Sequence, residues 1–268
     1  MKDLVVSGGT TGMGRALALH YLAKGARVSV IGSSPAKGQA FLDEASTDRA
    51  AFIQADLTSV AENRRVIMEV TARHDSLDAL VLSAMRHFPK RVETPDGYEG
   101  VFSLYYVSRF LLSHGLTDLL ENGADPVIVN ICGLGVTKGE IHWDDLTLKN
   151  NYGALRAMLQ GGRATELQGV AYPQLHPDGR TRYLLFHPGF TDSGTDSLSQ
   201  PLKTAIKLLA RVAAKSPAKA IEPIIDLIAN PPESRLLAYD RGKPVDPSLK
   251  TLNPTNAMRL YEMTSDLL

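Results

Sequence analysis

A doubly wound α/β domain, with about seven parallel strands and helices on both faces, is predicted by three observations. Short apolar runs alternate with helical stretches from residue 4 onward. A glycine-rich turn joins the first run to the first helix, and no linker, repeat or low-complexity tract divides the 268 residues. The first run is Leu4-Val5-Val6, and Ser7-Gly8-Gly9-Thr10-Thr11-Gly12-Met13-Gly14 follows it directly. A diphosphate needs close backbone approach and a helix N-terminus facing it. That favours glycine where a Cβ would collide and leaves N–H groups free for the anion. Gly12 to Lys24 supplies the helix, with Met13, Leu17 and Tyr21 recurring every four positions and Lys24-Gly25 as its stop. The turn therefore reads as a dinucleotide pyrophosphate site lined by Gly8, Thr10, Thr11, Gly12, Met13 and Gly14. An ordinary tight strand-to-helix connection is the alternative that a glycine cluster alone leaves open.

The remaining elements continue the alternation. Arg27–Ile31 reads as the second strand and Ala51–Ala55 as the third, with a helix over Ala36–Ala45 between them. Val60–Arg73 is an amphipathic helix, Ala79–Leu82 a fourth buried strand, and Tyr98–Leu120 a long helical pattern. Pro126–Ile131 gives the fifth strand, Leu155–Gly169 a helix interrupted by Gly161-Gly162, Tyr183–Phe186 the sixth strand and Leu236–Tyr239 the seventh. In such a sheet the ligand sits at the C-terminal strand ends. The stretch from Gly189 to Gln200, rich in Gly, Ser, Thr and Asp, precedes an apolar and basic helix over Leu202–Lys215. Residues 190–218 thus read either as a substrate lid or as a plain surface excursion. Leu202, Ile206, Leu208 and Leu209 would make that lid hydrophobic.

Composition narrows the partner. Basic and acidic residues number 29 each, which gives no electrostatic case for nucleic acid or an anionic membrane and leaves a small molecule as the expected partner. The single cysteine, Cys132, excludes an intrachain disulfide and fits a reducing compartment. No signal-peptide pattern or membrane-spanning apolar run is present, so a cytoplasmic location is expected. The seven histidines, among them His87, His142, His176 and His187, show no paired metal-ligand spacing, and no metal is expected.

Cofactor preference is read at the end of the second strand. An acidic residue there would bind ribose hydroxyls and repel a 2′-phosphate; the chain instead has Gly32-Ser33-Ser34-Pro35-Ala36-Lys37. Ser33, Ser34 and Lys37 offer two hydroxyls and a cation, which favours NADP(H) over NAD(H), although Ser34-Pro35 also has the form of a helix cap. After the third strand, Asp56 can accept a hydrogen bond from an adenine amino group.

The turn spacing Gly8-x3-Gly12-x-Gly14, with Ser7 before it, resembles that of the short-chain dehydrogenase/reductase family, whose fold is the Rossmann type. Thr94-Pro-Asp-Gly-Tyr-Glu99, Phe102, Phe110-Leu-Leu112, Ile128-Val-Asn130, Trp143-Asp-Asp-Leu146, Tyr152 and Leu185-Phe-His-Pro-Gly189 follow in the order of its retinol-dehydrogenase-like branch. The resemblance covers most of residues 3 to 240. It implies that Asp56-Leu57 holds adenine, that Ser83, Ala84 and Met85 line the cofactor after the fourth strand, and that Pro188, Gly189, Thr191 and Ser193 form the nicotinamide-side loop. It also implies pairing into a homodimer or homotetramer through the two long helices that flank the fifth strand.

The same resemblance marks an altered catalytic half. Placing the family's Tyr-x3-Lys on Tyr152 and Arg156 puts a guanidinium where the lysine stands; the family serine falls on Gly133 and the family asparagine near Tyr105. Two functions are expected from this. One is an NADPH-dependent ketoreductase or imine reductase acting on a hydrophobic molecule, with Tyr152 as proton donor and Arg156 holding ribose. The other is a nucleotide-binding protein without redox turnover, whether a sensor or an isomerase, cyclase or lyase. Tyr105-Tyr106 either replaces the missing polar groups or fills space.

Overall fold

The computed structural model describes residues 2–134, 138–189 and 216–268. The strands are β1 (Asp3–Ser7), β2 (Arg27–Gly32), β3 (Ala50–Gln54), β4 (Ala79–Leu82), β5 (Val127–Ile131), β6 (Arg182–His187), β7 (Leu236–Asp240) and the two-residue β8 (Lys243–Pro244). They form one sheet in the order β3-β2-β1-β4-β5-β6-β7-β8. All pairs are parallel except β7 with β8, which is antiparallel. Chain order reverses between β1 and β4, and such a switch point opens a crevice at the C-terminal strand ends.

The strands read as continuous apolar runs because both faces are covered. Val5, Leu80, Ile128 and Leu185 join one core; Leu4, Val6, Val81, Val129 and Leu184 join the other. The helices are α1 (Gly12–Ala23), α2 (Pro35–Ala45), α3 (Val60–Arg73), α4 (Gly100–Phe102), a π-helical turn (Ser103–Val107), α5 (Ser108–Gly115), α6 (Thr117–Glu121), α7 (Ala154–Leu175), α8 (Pro217–Ala229) and α9 (Pro254–Leu267). Ser34, Ser59, Ser216 and Asn253 cap α2, α3, α8 and α9 by accepting N–H groups three residues on, and Pro follows the cap in three of these.

Several elements differ from the sequence expectation. The long pattern over Tyr98–Leu120 is not one helix: it passes through the π-helical turn and breaks at Leu116. α7 runs through Gly161-Gly162 and on to Leu175, because Gly161 lies against Tyr105 and tertiary packing outweighs glycine's low helix propensity. α8, β8 and α9 lie beyond the expected elements. α9 packs along α7, sets Tyr261 5.5 Å from Phe110 and Thr264 Oγ1 2.8 Å from the Tyr106 hydroxyl, and receives the Tyr98 hydroxyl on Leu267 O at 2.5 Å. It therefore covers the outer surface of the helical segment that was expected to dimerise. Residues 190–215, which contain Thr191, Ser193, Leu202, Ile206, Leu208 and Leu209, lie outside the described residues.

Ser29, His74 and Asp3 align like a nucleophilic triad, with Ser29 Oγ 2.8 Å from His74 Nε2 and His74 Nδ1 3.3 Å from Asp3. All three are buried, and Asp3 also binds Arg27. The trio therefore ties β1, β2 and the end of α3 together.

Candidate cofactor and catalytic site

The glycine turn is shaped by close approach at the switch point. Gly8 has φ +70° and Gly12 φ +57°, conformations that disfavour side chains. A Cβ on Gly8 would lie 2.7 Å from Ala84 N, and one on Gly14 would lie 2.6 Å from Gly8 O and collide with Ser83 Oγ. Ser83 fixes this approach by donating its N–H at 3.1 Å and its hydroxyl at 2.6 Å to Ser7 O. The Ser7 hydroxyl is buried and unpartnered. At the start of α1, Thr11 makes no side-chain cap and the first turn carries no acidic residue, so the first N–H groups remain available to an anion. These residues fit a pyrophosphate. The Met13 side chain is in the core and contributes only backbone there.

Around the turn lie the other expected cofactor residues. Thr10 packs beside Gly32 at the end of β2, where a glycine Cβ would meet its side chain at 3.1 Å. Ser33 and Lys37 are exposed; Ser34 is half-buried and accepts the Lys37 N–H at 3.4 Å, so it caps α2 at the same edge. Asp56 uses Oδ1 for the Thr58 N–H at 3.0 Å and the Thr58 hydroxyl at 2.8 Å, which holds the carboxylate at the end of β3. Leu57 is buried in the core, whereas Ala84 is half-buried and Met85 exposed. At the end of β6, Pro188 and Gly189 are half-buried; Gly189 has φ +81° and lies against the Arg241 side chain. His187 beside them pairs with Asp240 at 2.8 Å, and the hydrogen bonds and charges of His187 and Arg241 draw the Asp240 carboxyl below its usual range despite burial.

The structure does not bring Tyr152 and Arg156 together as a Tyr-x3-Lys unit. Tyr152 precedes α7, which starts at Ala154, and its hydroxyl donates to Phe88 O at 2.7 Å. Burial and the Glu99 carboxylate raise its pKa, with Arg91 opposing. Arg156 is exposed and lines a surface pocket of about 580 Å³ with Gly139, Glu140, His142, Leu155 and Leu159. The two residues do not share one helical face, because the helix begins between them.

A different pair stands beneath the ends of β4 and β5. Arg109 is 1% exposed; it hydrogen-bonds Asn130 Oδ1, donates to Ile131 O at 2.8 Å and to Ala84 O at 3.1 Å, and its Nε has no partner. Its guanidinium carbon lies 4.3 Å from the Tyr105 ring centroid. Tyr105 is 5% exposed and sits in the π-helical turn, packed with Phe88, Val101, Leu148, Ala157 and Tyr152. Burial pushes its hydroxyl pKa up to about 12, against the pull of Arg109 and the Gly133 backbone hydrogen bond. Cys132 is buried and its thiol is pushed up to about 12, which leaves it protonated. Arg109 carried no distinct sequence signal, because an arginine in an amphipathic helix reads as a solvated face. Among the described residues no group of His, Cys, Asp and Glu is placed to hold a metal, and no helix is long and apolar enough to cross a membrane.

A model of the short chain dehydrogenase family matches residues 2–145. Polyprenol dehydrogenase of Homo sapiens is 27% identical over 171 residues, covering 61% of this chain and 52% of that protein. Retinol dehydrogenase 13 of Mus musculus is 27% identical over 208 residues, covering 72% of this chain and 62% of that protein. The chain thus spans between half and two thirds of the length of these curated relatives. An alcohol dehydrogenase from the archaeon Thermococcus sibiricus, complexed with 5-hydroxy-NADP, superposes with a TM-score of 0.67 at 14% identity, covering 92% of this chain and 100% of that one. That likeness is one of fold.

Proposed function

The chain belongs to the short-chain dehydrogenase/reductase family, and on that footing we propose that it is an NADP(H)-dependent reductase of C=O or C=N bonds in hydrophobic small molecules. The observation that carries the proposal is the cradle at Gly8 and Gly14, where a Cβ would strike Ala84, Ser83 and Gly8 itself. A tight packing turn needs only one such approach; an anion site also needs the uncapped start of α1 above it. Gly8, Thr10, Thr11, Gly12, Met13 and Gly14 hold the diphosphate, and Asp56 holds adenine through the oxygen that Thr58 leaves free. Ser33, Ser34 and Lys37 receive the 2′-phosphate, because no carboxylate stands among residues 32–37 to repel it. Ser83, Ala84, Met85, Pro188 and Gly189 line the nicotinamide half at the strand ends. The bound nicotinamide supplies hydride; the chain's part is to orient the acceptor, exclude water and provide a proton where the product needs one. Two relatives are named for polyprenol and retinol, both hydrophobic alcohols, which supports an apolar substrate.

Calorimetric titration of NADPH and NADH, followed by a screen of aldehydes, ketones and cyclic imines for loss of nicotinamide absorbance, tests this reading. NADPH binding at least tenfold tighter than NADH and consumption on a hydrophobic carbonyl or imine are expected. Failure of both nucleotides to bind would end it.

A second reading, nucleotide binding without redox turnover, is favoured by one observation: the Tyr152 hydroxyl is committed to Phe88 O and Gly133 offers no side-chain donor. NADPH binding with no consumption on any acceptor is the outcome that selects it.

A further inference from the structure

We propose that Tyr105, carried on the π-helical turn and placed between Gly161 of α7 and the end of β5, is the proton-donating phenol of this site, with Arg109 as its positioning residue. The proposal rests on the reductase reading.

Three features of the geometry converge on Tyr105. The first is the π-helical turn itself: Ser103–Val107 interrupts an otherwise α-helical path, and such bulges re-aim a side chain at a local cost in backbone regularity. The second is the clearance opposite it. A Cβ on Gly161 would lie 2.9 Å from Tyr105 Cδ1, so α7 makes room for this ring with a glycine at the centre of a buried helix face. The third lies at the hydroxyl end. The Gly133 backbone lies close enough to that hydroxyl to draw its pKa down against burial, and a side chain at Gly133 would meet no atom within 4 Å. The phenol is thus held beside the C-terminal end of β5, the strand end at which ligands of this sheet class bind.

Arg109 explains why the ring stays there. A fully buried guanidinium without a carboxylate partner is costly, and its hydrogen bonds go to carbonyls at the ends of β4 and β5 and to Asn130. Its remaining compensation is the face of the Tyr105 ring at 4.3 Å. A fixed cation at that distance also stabilises the phenolate left after proton donation. With its pKa raised to about 12, the hydroxyl is fully protonated at neutral pH and is still a stronger acid than the alcohol being formed.

The step balances. Hydride from the nicotinamide brings two electrons to the carbonyl carbon and forms the new C–H bond, while the π pair of C=O moves to oxygen. That oxygen takes the Tyr105 proton, and the phenolate recovers a proton from water. The sum is carbonyl plus NADPH plus one proton giving alcohol plus NADP⁺.

The test uses the whole chain, labelled with ¹³C at tyrosine Cζ, with the Tyr105 resonance assigned through Tyr105→Phe. In NADPH-loaded protein, isobutyramide, an unreactive carbonyl compound, is expected to shift that resonance. Tyr105→Phe is expected to keep its melting temperature and its NADPH affinity within about twofold of wild type while losing about 100-fold or more in kcat on a ketone that wild type reduces. Arg109→Met is expected to broaden the Tyr105 resonance, because the ring loses its partner. Isobutyramide leaving the Tyr105 resonance unmoved, or Tyr105→Phe reducing ketones at the wild-type rate, would overturn the proposal while leaving the reductase reading intact. Failure of NADPH to bind would overturn both.

Discussion

The Arg109 guanidinium sits 4.3 Å from the centroid of the Tyr105 ring, and both residues are almost wholly buried beneath the ends of β4 and β5. A permanent cation and a phenol are thus locked together where the sheet presents its crevice. The positions that resemblance assigns to the family's asparagine and serine, Tyr105 and Gly133, remain neighbours here, and the Gly133 backbone draws the Tyr105 phenol down against the effect of burial.

The cofactor cradle predicts a first result. Gly14→Val places side-chain atoms where Ser83 Oγ and Gly8 O already stand, so the turn must open or the nucleotide must leave. NADPH affinity, followed by nicotinamide fluorescence, should fall about tenfold or more, equivalent to at least about 1.4 kcal/mol. Thr11→Ala should change it less, because it leaves the backbone N–H groups at the start of α1 in place.

Gly161 and Gly162 should respond oppositely to alanine. In a helix interior Gly→Ala normally stabilises by about 1 kcal/mol. At Gly162 the added Cβ meets nothing within 4 Å, so Gly162→Ala should raise the melting temperature. At Gly161 the Cβ would press on Tyr105 Cδ1 at 2.9 Å, and overpacking of about 1–3 kcal/mol should lower it. Thermal denaturation of the two variants checks the sign.

Stability should weaken on acidification. His114 lies among Phe110, Tyr172, His176 and Tyr261, and burial, with His176 adding repulsion, lowers its pKa to about 4 from 6.5. The unfolded chain therefore binds this proton first. The stability that neutral His114 contributes is complete above pH 6.5, declines as pH falls, and is gone below pH 4. Unfolding free energies from urea titrations across that window should fall steadily, by an amount on the order of 3 kcal/mol from this residue. His114→Phe should flatten the slope.

We propose that α9 blocks pairing through the helical segment of Tyr106 and Phe110. Its Tyr261 and Thr264 occupy the surface of Phe110 and Tyr106, and Ala257 and Leu260 are buried. A homodimer through this helical segment would have to displace them. Light scattering should therefore report a monomer, and a dimer or tetramer would show that the chain pairs by another face or that α9 moves.

How much of this was legible in the residues depends on what sets each element. The seven parallel strands could be read because burial on both faces makes them short apolar runs, Leu4-Val5-Val6 and Ala79–Leu82 among them. The glycine turn could be read because Gly8 and Gly14 answer a local steric demand. The π-helical turn could not, since no residue type marks a one-residue excess in a helix; it shows only when Tyr105 meets Gly161. Tyr152 and Arg156 have the right spacing for one helical face, yet α7 starts between them because Gly153 stands at its N-cap. Arg109 was silent for a related reason: only the fold shows that its face of the helix is covered.

The claim that hydride passes from NADPH to an unsaturated carbon is tested most directly by isotope transfer. NADPH carrying deuterium at the transferable C4 position is incubated with the protein and a mixture of hydrophobic ketones and cyclic imines, and the products are analysed by mass spectrometry. The account predicts a product with deuterium on the carbon that was part of the double bond, greatly reduced in Tyr105→Phe. NADPH bound by the protein, with no deuterium in any product, would contradict it.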